Sequence, residues 1–184
     1  DYILDEFPGI ATDPHLGRLN VSVESPFDEE AGCYTEIHAF GARSFTIWDT
    51  AGNVVFDSGD DFEQLLVELL PDNYNSNHSE TSQNTRSDDK GPEPEGLTIG
   101  EIDGRTYVFI GFERVGGVIA YDITDPAAAK YVTYVNNRDF SIDMESSTDV
   151  AGDLARVGDL GAEGLQFISA ADSPNGRPLV AVGN

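Results

Sequence analysis

The sequence predicts an all-β fold made of antiparallel hairpins, arranged as the blades of a β-propeller. Most apolar segments are short, alternate with polar residues and are separated by turn-forming residues. A Glu-Gly-Leu element occurs twice, at 95–97 and 163–165. Since about four blades are the usual minimum for a ring, we expect residues 1–184 to be part of a single β-propeller domain, an incomplete propeller.

Five segments rich in β-branched and aromatic residues predict the strands. The first two are separated by a turn-rich connection and should form a hairpin. Asp103-Gly104 is a strong turn signal before the third strand. Thr124-Asp125-Pro126 ends the fourth, because proline cannot extend a strand ladder. The predicted strands are 44–48, 54–56, 106–111, 117–123 and 131–135.

One short helix is predicted near 61–70. Asp60 can cap its first turn, and Glu63 completes a pattern similar to a capping box. Apolar residues recur there at helical spacing, and Pro71 should end the helix. The predicted apolar face comprises Phe62, Leu65, Leu66, Leu69 and Leu70.

Two polar insertions interrupt the strands. Residues 72–94 form a long polar acidic loop, and long loops in compact domains are often functional. Residues 136–159 form the second insertion. The insert 60–94, which includes this loop, and the insert 136–159 lengthen the repeat beyond the roughly 40–45 residues that a four-stranded blade usually needs.

The repeat extends beyond the Glu-Gly-Leu element. Segments 95–111 and 163–183 each contain that element, a strand, a turn ending in Gly-Arg and a second strand ending in glycine. A second similarity relates 40–49 to 112–122, in which Arg43 and Arg114 precede a strand ending in an aromatic residue and aspartate. We therefore expect Glu95 and Glu163 to occupy equivalent positions at one end of adjacent blades.

The charge excludes several partners. Thirty-four acidic residues and ten basic residues give a formal net charge of −24, so nucleic acid and anionic membranes would be repelled, whereas a metal cation would be attracted. We attribute most of the acidic excess to a marine or halophilic origin. No apolar run approaches the roughly 20 residues of a membrane span, so no membrane insertion is expected.

The single cysteine, Cys33, allows no intrachain disulfide and belongs to no Cys/His zinc pattern. We expect it to be a small buried side chain.

Glu95 and Glu163 would converge from neighbouring blades, and converging carboxylates repel each other unless they are neutralised. Three solutions stay open: a bound calcium ion, which prefers oxygen ligands, pairing with arginine, or protonation of one carboxyl group. The candidate metal ligands are Glu95, Glu163, Glu93, Asp88 and Asp89. The candidate ligand-binding or ion-pairing bases are Arg43, Arg114, Arg86 and Lys90.

Segments 86–100 and 112–118, together with 40–49 and 159–165, resemble the choice-of-anchor I family. The resemblance implies a bacterial propeller that is secreted, periplasmic or attached to the cell surface, often within larger proteins described as alkaline phosphatase-like or phytase-like. One departure is Ala162, where the family usually has proline. The Glu-Gly-Leu element is also distantly similar to β-propeller phytases, in which acidic side chains near the propeller axis hold calcium.

These observations favour an extracytoplasmic module that binds a ligand or partner, with calcium as the expected cofactor. A calcium-dependent phosphoesterase and a structural module of a cell-surface assembly are the alternatives. A phosphoesterase would need metal ions and basic residues to hold its substrate, and the chain has only ten bases. An isolated set of blades would expose strand edges, so further blades or another chain are expected partners.

Overall fold

The computed structural model describes residues 5–13, 15–41 and 43–184. Ala42, within the repeat segment 40–49, lies outside the described residues. In chain order, the elements are β1 (Phe27–Asp28), β2 (Cys33–Tyr34), β3 (Thr46–Trp48), β4 (Val54–Asp57), α1 (Asp61–Leu69), β5 (Pro94–Ile102), β6 (Arg105–Phe112), β7 (Val118–Asp122), β8 (Lys130–Val135), α2 (Val150–Leu154), β9 (Gly164–Ile168) and β10 (Leu179–Gly183).

The prediction of a mostly β structure built from antiparallel hairpins is confirmed. Strands β5 to β8 pair in chain order to form the middle sheet, whereas β1–β2, β3–β4 and β9–β10 are two-stranded sheets. All pairings are antiparallel. These sheets do not close a ring among the residues that the structure describes.

The middle sheet begins with a tight hairpin at the predicted Asp103-Gly104 turn. Both residues have positive φ, at 52° and 77°, as the two central positions of a type I′ turn require. Ile102 therefore pairs with Arg105, and the register continues to Leu97 and Ile110. An irregularity between Pro94 and Leu97 shifts the register at the start of β5.

The two Glu-Gly-Leu elements lie against each other, because β9 packs beside β5 on one face of the middle sheet. A Cβ atom at Gly96 would collide with the backbone carbonyl of Glu163. The hydroxyl of Thr98 accepts a hydrogen bond from the backbone N–H of Phe167 at 3.0 Å. Phe167 also stacks on Phe109, with ring centroids 6.0 Å apart. Glycine is thus required where the two repeats approach most closely.

The hydrophobic core occupies the opposite face of the middle sheet. Side chains from β6 and β7 meet side chains from the β3–β4 hairpin and from α1 there. The buried residues of this cluster are Phe45, Phe62, Leu66, Val108, Ile110, Phe112, Val115, Ile119 and Tyr121. Full burial of one such large apolar side chain contributes roughly 1.5–3 kcal/mol, so this cluster stabilises the contact between α1 and the sheet.

The predicted helix is confirmed, but its predicted cap is wrong. The side chain of Asp60 makes no capping hydrogen bond and instead accepts one from the side chain of Gln64 at 3.0 Å. Asp60 has φ −99° and ψ 11°, which departs from the extended conformation that a capping residue normally adopts. Phe62 and Leu66 are buried as expected, whereas Leu69 is exposed.

Two further features differ from the sequence prediction. Insertion 136–159 contains the short helix α2, whose first turn is capped by the side chain of Asp149 accepting from the Gly152 N–H at 3.2 Å. Cys33 is exposed, because it lies in the small β1–β2 hairpin, whose strand residues are all exposed.

Within the described residues, no helix is both long and apolar enough to span a bilayer.

The packing between repeats predicts different outcomes at two equivalent glycines. Gly96→Ala should destabilise the fold by about 1–3 kcal/mol, since the new methyl group must displace backbone. Gly164→Ala is the matched control, because a Cβ there has no neighbour within 4 Å. Urea unfolding of both variants in dilute solution measures the difference, and equal stabilities would contradict the close approach at Gly96.

Candidate functional site at the acidic end of the middle sheet

Arg43 holds the long loop 72–94, which precedes β5. The guanidinium of Arg43 pairs with Glu63 of α1 at 2.6 Å. It also donates hydrogen bonds to the backbone carbonyls of Ser87 and Asp89, at 2.5 and 2.9 Å. Arg43 thus joins the helix to the end of the loop, and it pairs with neither of the two repeated glutamates.

A second arginine, Arg138, holds the beginning of the same loop. It is buried and donates to the carbonyls of Asn77 and Glu80, at 2.9 and 2.7 Å. Its guanidinium also lies 4.7 Å from the centre of the Phe140 ring. Burial lowers the pKa of Arg138, and the carbonyl contacts compensate for its desolvation. The sequence analysis missed this residue, because nothing local distinguishes it from a surface arginine.

Glu93 is the centre of an ion cluster at the start of β5. Its side chain is only 5% exposed, and it pairs with Lys90, with Arg114 and, at 3.5 Å, with Arg86. Burial alone would raise the pKa of Glu93, but hydrogen bonds from Lys90 and Arg114 outweigh it and hold that pKa below its ordinary value. Arg86 also pairs with Asp89 at 2.7 Å. The loop therefore ends in a neutralised, half-buried cluster.

A second carboxylate pair lies beside this cluster. The side chain of Glu113 contacts that of Glu95, and this contact, together with burial, raises the pKa of Glu113. Arg114 lies 3.0 Å from Glu113 but is also bound to Glu93, so one guanidinium pairs with two carboxylates. The carboxylate that contacts Glu95 is thus Glu113, whereas the sequence predicted that Glu163 would converge on it.

His78 faces the same arginine. Arg114 donates to His78 Nδ1 at 2.9 Å, so the neutral ring carries its proton on Nε2. Burial, followed by the charge of Arg114, lowers the pKa of His78. Glu163 enters the site here, because a cavity of about 140 Å³ is lined by His78, Glu113 and Glu163. Glu113 thus connects the two repeated glutamates by touching Glu95 and facing Glu163.

The structure therefore separates the predicted site residues into three groups: those in the ion cluster, those at the acidic end beside it, and two that are used elsewhere. Glu93, Asp89, Arg86, Lys90 and Arg114 come together in the ion cluster. Glu95 and Glu163 lie at the adjacent acidic end.

The remaining two predicted residues are used elsewhere. Asp88 pairs with Arg18 at 3.0 Å, and Arg43 pairs with Glu63. Glu63, His78, Glu113 and Arg138 are site residues that the sequence analysis missed. Glu113 could have been inferred from the sequence. The Asp103-Gly104 turn sets the register of β5 and β6, and this register places the end of β6 opposite the start of β5.

The predicted calcium ligands are only partly available. Asp88, Asp89 and Glu93 each pair with a basic side chain. Within the part of the chain that the structure describes, no group of three or more His, Cys, Asp or Glu residues is arranged to hold a metal ion. Calcium binding stays a prediction.

The model of the choice-of-anchor I domain matches residues 7–126. The chain belongs to this family. The match includes the long loop, the ion cluster and the first Glu-Gly-Leu element, so these features lie within the family's domain.

This choice-of-anchor I domain is also similar to two animal proteins. Gigasin-3a of Magallana gigas is 27% identical over 185 residues, which span 96% of this chain and 63% of that protein. Mesenchyme-specific cell surface glycoprotein of Strongylocentrotus purpuratus is 23% identical over 104 residues, 49% of this chain and 13% of that protein. The chain thus spans less than two thirds of either relative. No solved structure matches it.

Removing the charge of Glu93 should destabilise the choice-of-anchor I domain. Glu93→Gln leaves three bases around a buried neutral group, and we expect a loss of about 2–4 kcal/mol near neutral pH. Because the folded pKa of Glu93 is lowered from 4.5, its contribution is present above that pH and is lost as the pH falls through the folded pKa. Wild type and variant should therefore converge in acid.

Chemical unfolding between neutral pH and acid measures this difference. Glu101→Gln, at an exposed position of β5, is the control and should change stability by less than about 0.5 kcal/mol. A loss that persists undiminished in acid would contradict the ionised state of Glu93.

Glu113 should show the opposite pH dependence. Its folded pKa is raised from 4.5, so its contribution is complete below that pH and is lost as the pH rises through the folded value. The melting temperature of wild type minus that of Glu113→Gln should therefore decrease from acid towards neutral pH. A difference that stays constant over this range would show that Glu113 and Glu95 do not share a proton.

Proposed function

We propose that this choice-of-anchor I domain is part of an extracellular or cell-surface β-propeller that binds a cationic ligand at its acidic end. The acidic end consists of Glu95, Glu113 and Glu163. Calcium is the first candidate ligand, because hard cations prefer carboxylate oxygens.

The arrangement of the sheets supports the propeller. The middle sheet has four antiparallel strands in chain order, as a propeller blade has. The equivalent hairpin of the next repeat packs on its face, with Phe167 stacked on Phe109. Both Glu-Gly-Leu elements then lie at one end of adjacent sheets, where the inner strands of a propeller converge.

Family membership and one relative support an extracellular or cell-surface location for this domain. The second relative is named as a cell surface glycoprotein, and membership of the choice-of-anchor I family implies a secreted or surface-attached domain. A strongly acidic chain with a net charge of −24 also fits a role outside the cytoplasm that depends on cations rather than on nucleic acid.

The contact between Glu95 and Glu113 is the observation that carries the proposed ligand chemistry. This contact, followed by burial, raises the pKa of Glu113, so a positive charge nearby would stabilise the ionised pair. Arg114 cannot neutralise both carboxylates, because it is also bound to Glu93. A cation between Glu95 and Glu113 would offset the repulsion between their carboxylates.

The same contacts weigh against the phosphoesterase alternative. A phosphate would need free positive charge, but Arg86, Lys90 and Arg114 are bound to Glu93 and Arg43 is bound to Glu63. A phosphoesterase would therefore require several metal ions to hold its substrate.

Calcium titration followed by thermal unfolding tests the proposal. Saturating calcium should raise the melting temperature, since a ligand at about 100 times its dissociation constant adds roughly 2.7 kcal/mol. Glu95→Gln should abolish most of the shift, whereas the control Glu101→Gln should keep it. An equal shift in both variants would place the calcium elsewhere. Calcium-dependent phosphomonoester hydrolysis that is lost in Glu95→Gln would support the enzyme instead.

A further inference from the structure

The turn between β9 and β10 contains an Asn-Gly pair, Asn175-Gly176. No other asparagine in the chain is followed by glycine. Glycine carries no Cβ, so its backbone nitrogen is the least shielded of all residues. A neighbouring asparagine can therefore be attacked by that nitrogen at its side-chain amide, and the local structure decides whether the attack is favoured.

A β-turn presents this pair at the surface. The backbone N–H of Gly176 donates to the carbonyl of Ser173 at 3.2 Å, so Pro174 and Asn175 are the two central residues of the turn. Gly176 has φ 71°, and a Cβ there would have no neighbour within 4 Å. Asn175 and Gly176 are both exposed, and hydroxide from the solvent therefore reaches the Gly176 nitrogen.

Two donors polarise the side-chain amide of Asn175. Its Oδ1 accepts a hydrogen bond from the Ser173 hydroxyl at 2.8 Å and another from the Arg177 backbone N–H at 3.0 Å. The contact with Arg177 is an Asx-turn, which folds the amide back over the following peptide bond. Both donors withdraw electrons from Cγ, and both lie where negative charge would develop on Oδ1 if that carbon were attacked.

We propose that Asn175 is a site of spontaneous deamidation, in which the backbone nitrogen of Gly176 attacks the side-chain amide. Hydroxide removes the Gly176 amide proton, and a bond forms between that nitrogen and Asn175 Cγ. The bond between Cγ and Nδ2 then breaks. Nδ2 takes a proton from water and leaves as ammonia, which regenerates the hydroxide. The product is a succinimide ring, and nothing is oxidised or reduced.

Water then opens the succinimide at either of its two carbonyl groups. Breaking the bond between the nitrogen and Cγ gives aspartate. Breaking the bond between the nitrogen and the backbone carbonyl carbon gives isoaspartate, whose main chain runs through Cγ. Either product replaces a neutral amide with a carboxylate and adds one negative charge. The aspartate product also gives the second repeat an Asp-Gly-Arg turn, which the first repeat has at 103–105.

The fold can accept both products. Ile168 pairs with Leu179 at the base of the turn, so residues 169–178 lie outside the ladder of β9 and β10. The additional backbone carbon of isoaspartate then lengthens a long turn and leaves the strand register unchanged. We therefore expect the modified chain to stay folded and to accumulate with time.

The equivalent turn of the first repeat is a matched comparison. Asp103 and Gly104 both have positive φ, and Ile102 pairs with Arg105 directly beside them. Asp103→Asn introduces the same Asn-Gly pair there, and Asn-Gly is favoured in this type of turn. Rotation of residue 103 towards the attacking nitrogen would break the adjacent strand pair. Asparagine at that position should therefore react roughly tenfold more slowly than Asn175.

Peptide mapping by mass spectrometry tests the proposal on the folded chain. Samples are incubated at neutral and at mildly alkaline pH, and conversion is followed at every asparagine. Asn175 should convert first, to both aspartate and isoaspartate. The rate should rise with pH, because hydroxide starts the reaction. Asn175→Gln should show no conversion at that position over the same period, because glutamine would have to close a larger ring.

Two variants test the geometry of the turn. Ser173→Ala removes one donor to Oδ1 and should slow conversion at Asn175. Asp103→Asn should react more slowly at 103 than at 175 within the same molecule. The melting temperature should be unchanged by conversion, since the turn lies outside the paired strands.

Conversion in the urea-unfolded chain but not in the folded chain would overturn the proposal, and so would another asparagine that reacts as fast as Asn175. Equal rates at 103 and 175 in Asp103→Asn, or an unchanged rate in Ser173→Ala, would also overturn it, because the turn would then not select the site. The reaction needs no cation, so these outcomes are independent of the calcium titration.

Discussion

The carboxylate of Glu93 receives contacts from Arg86 and Lys90 of the long loop and from Arg114 at the end of the second strand of the middle sheet. Without that charge, three guanidinium or ammonium groups would repel one another in a half-buried position. The charged Glu93 holds the end of the loop in place. Strand β5 begins there, so Glu95 lies beside Glu113. The acidic end of the domain is therefore a consequence of one neutralised cluster.

The second constraint on the molecule is the distance between repeats. Glycine at 96 and aromatic stacking between Phe109 and Phe167 allow one sheet to lie directly on the next. Because these contacts involve β5 and β6 on one side and β9 on the other, the two Glu-Gly-Leu elements are held side by side. Close packing thus brings like charges to the same end of the fold, where carboxylates repel each other unless they are neutralised.

Large net charge and local compensation coexist in this domain. The chain has a formal net charge of −24, yet its less exposed bases have partners. Arg43 pairs with a carboxylate, and Arg138 donates hydrogen bonds to backbone carbonyls. Bases are concentrated where the long loop must be held against the sheet. Substrate phosphate would have to compete for side chains that the fold already uses, whereas at the acidic end Glu113 contacts Glu95 and pairs with an arginine, Arg114, that is also bound to Glu93.

The sequence by itself determined the hairpins, the helix ending before Pro71 and the equivalence of the two repeats, because these features depend on local periodicity, turn residues and recurring motifs. It did not determine which acid meets which base. Glu93 rather than Glu95 pairs with Arg114, and Arg138 contacts carbonyls 58 and 61 residues away. Such choices depend on how the loop folds over the sheet and on burial, which changes the strength of every charge interaction. Only the tertiary structure decided them.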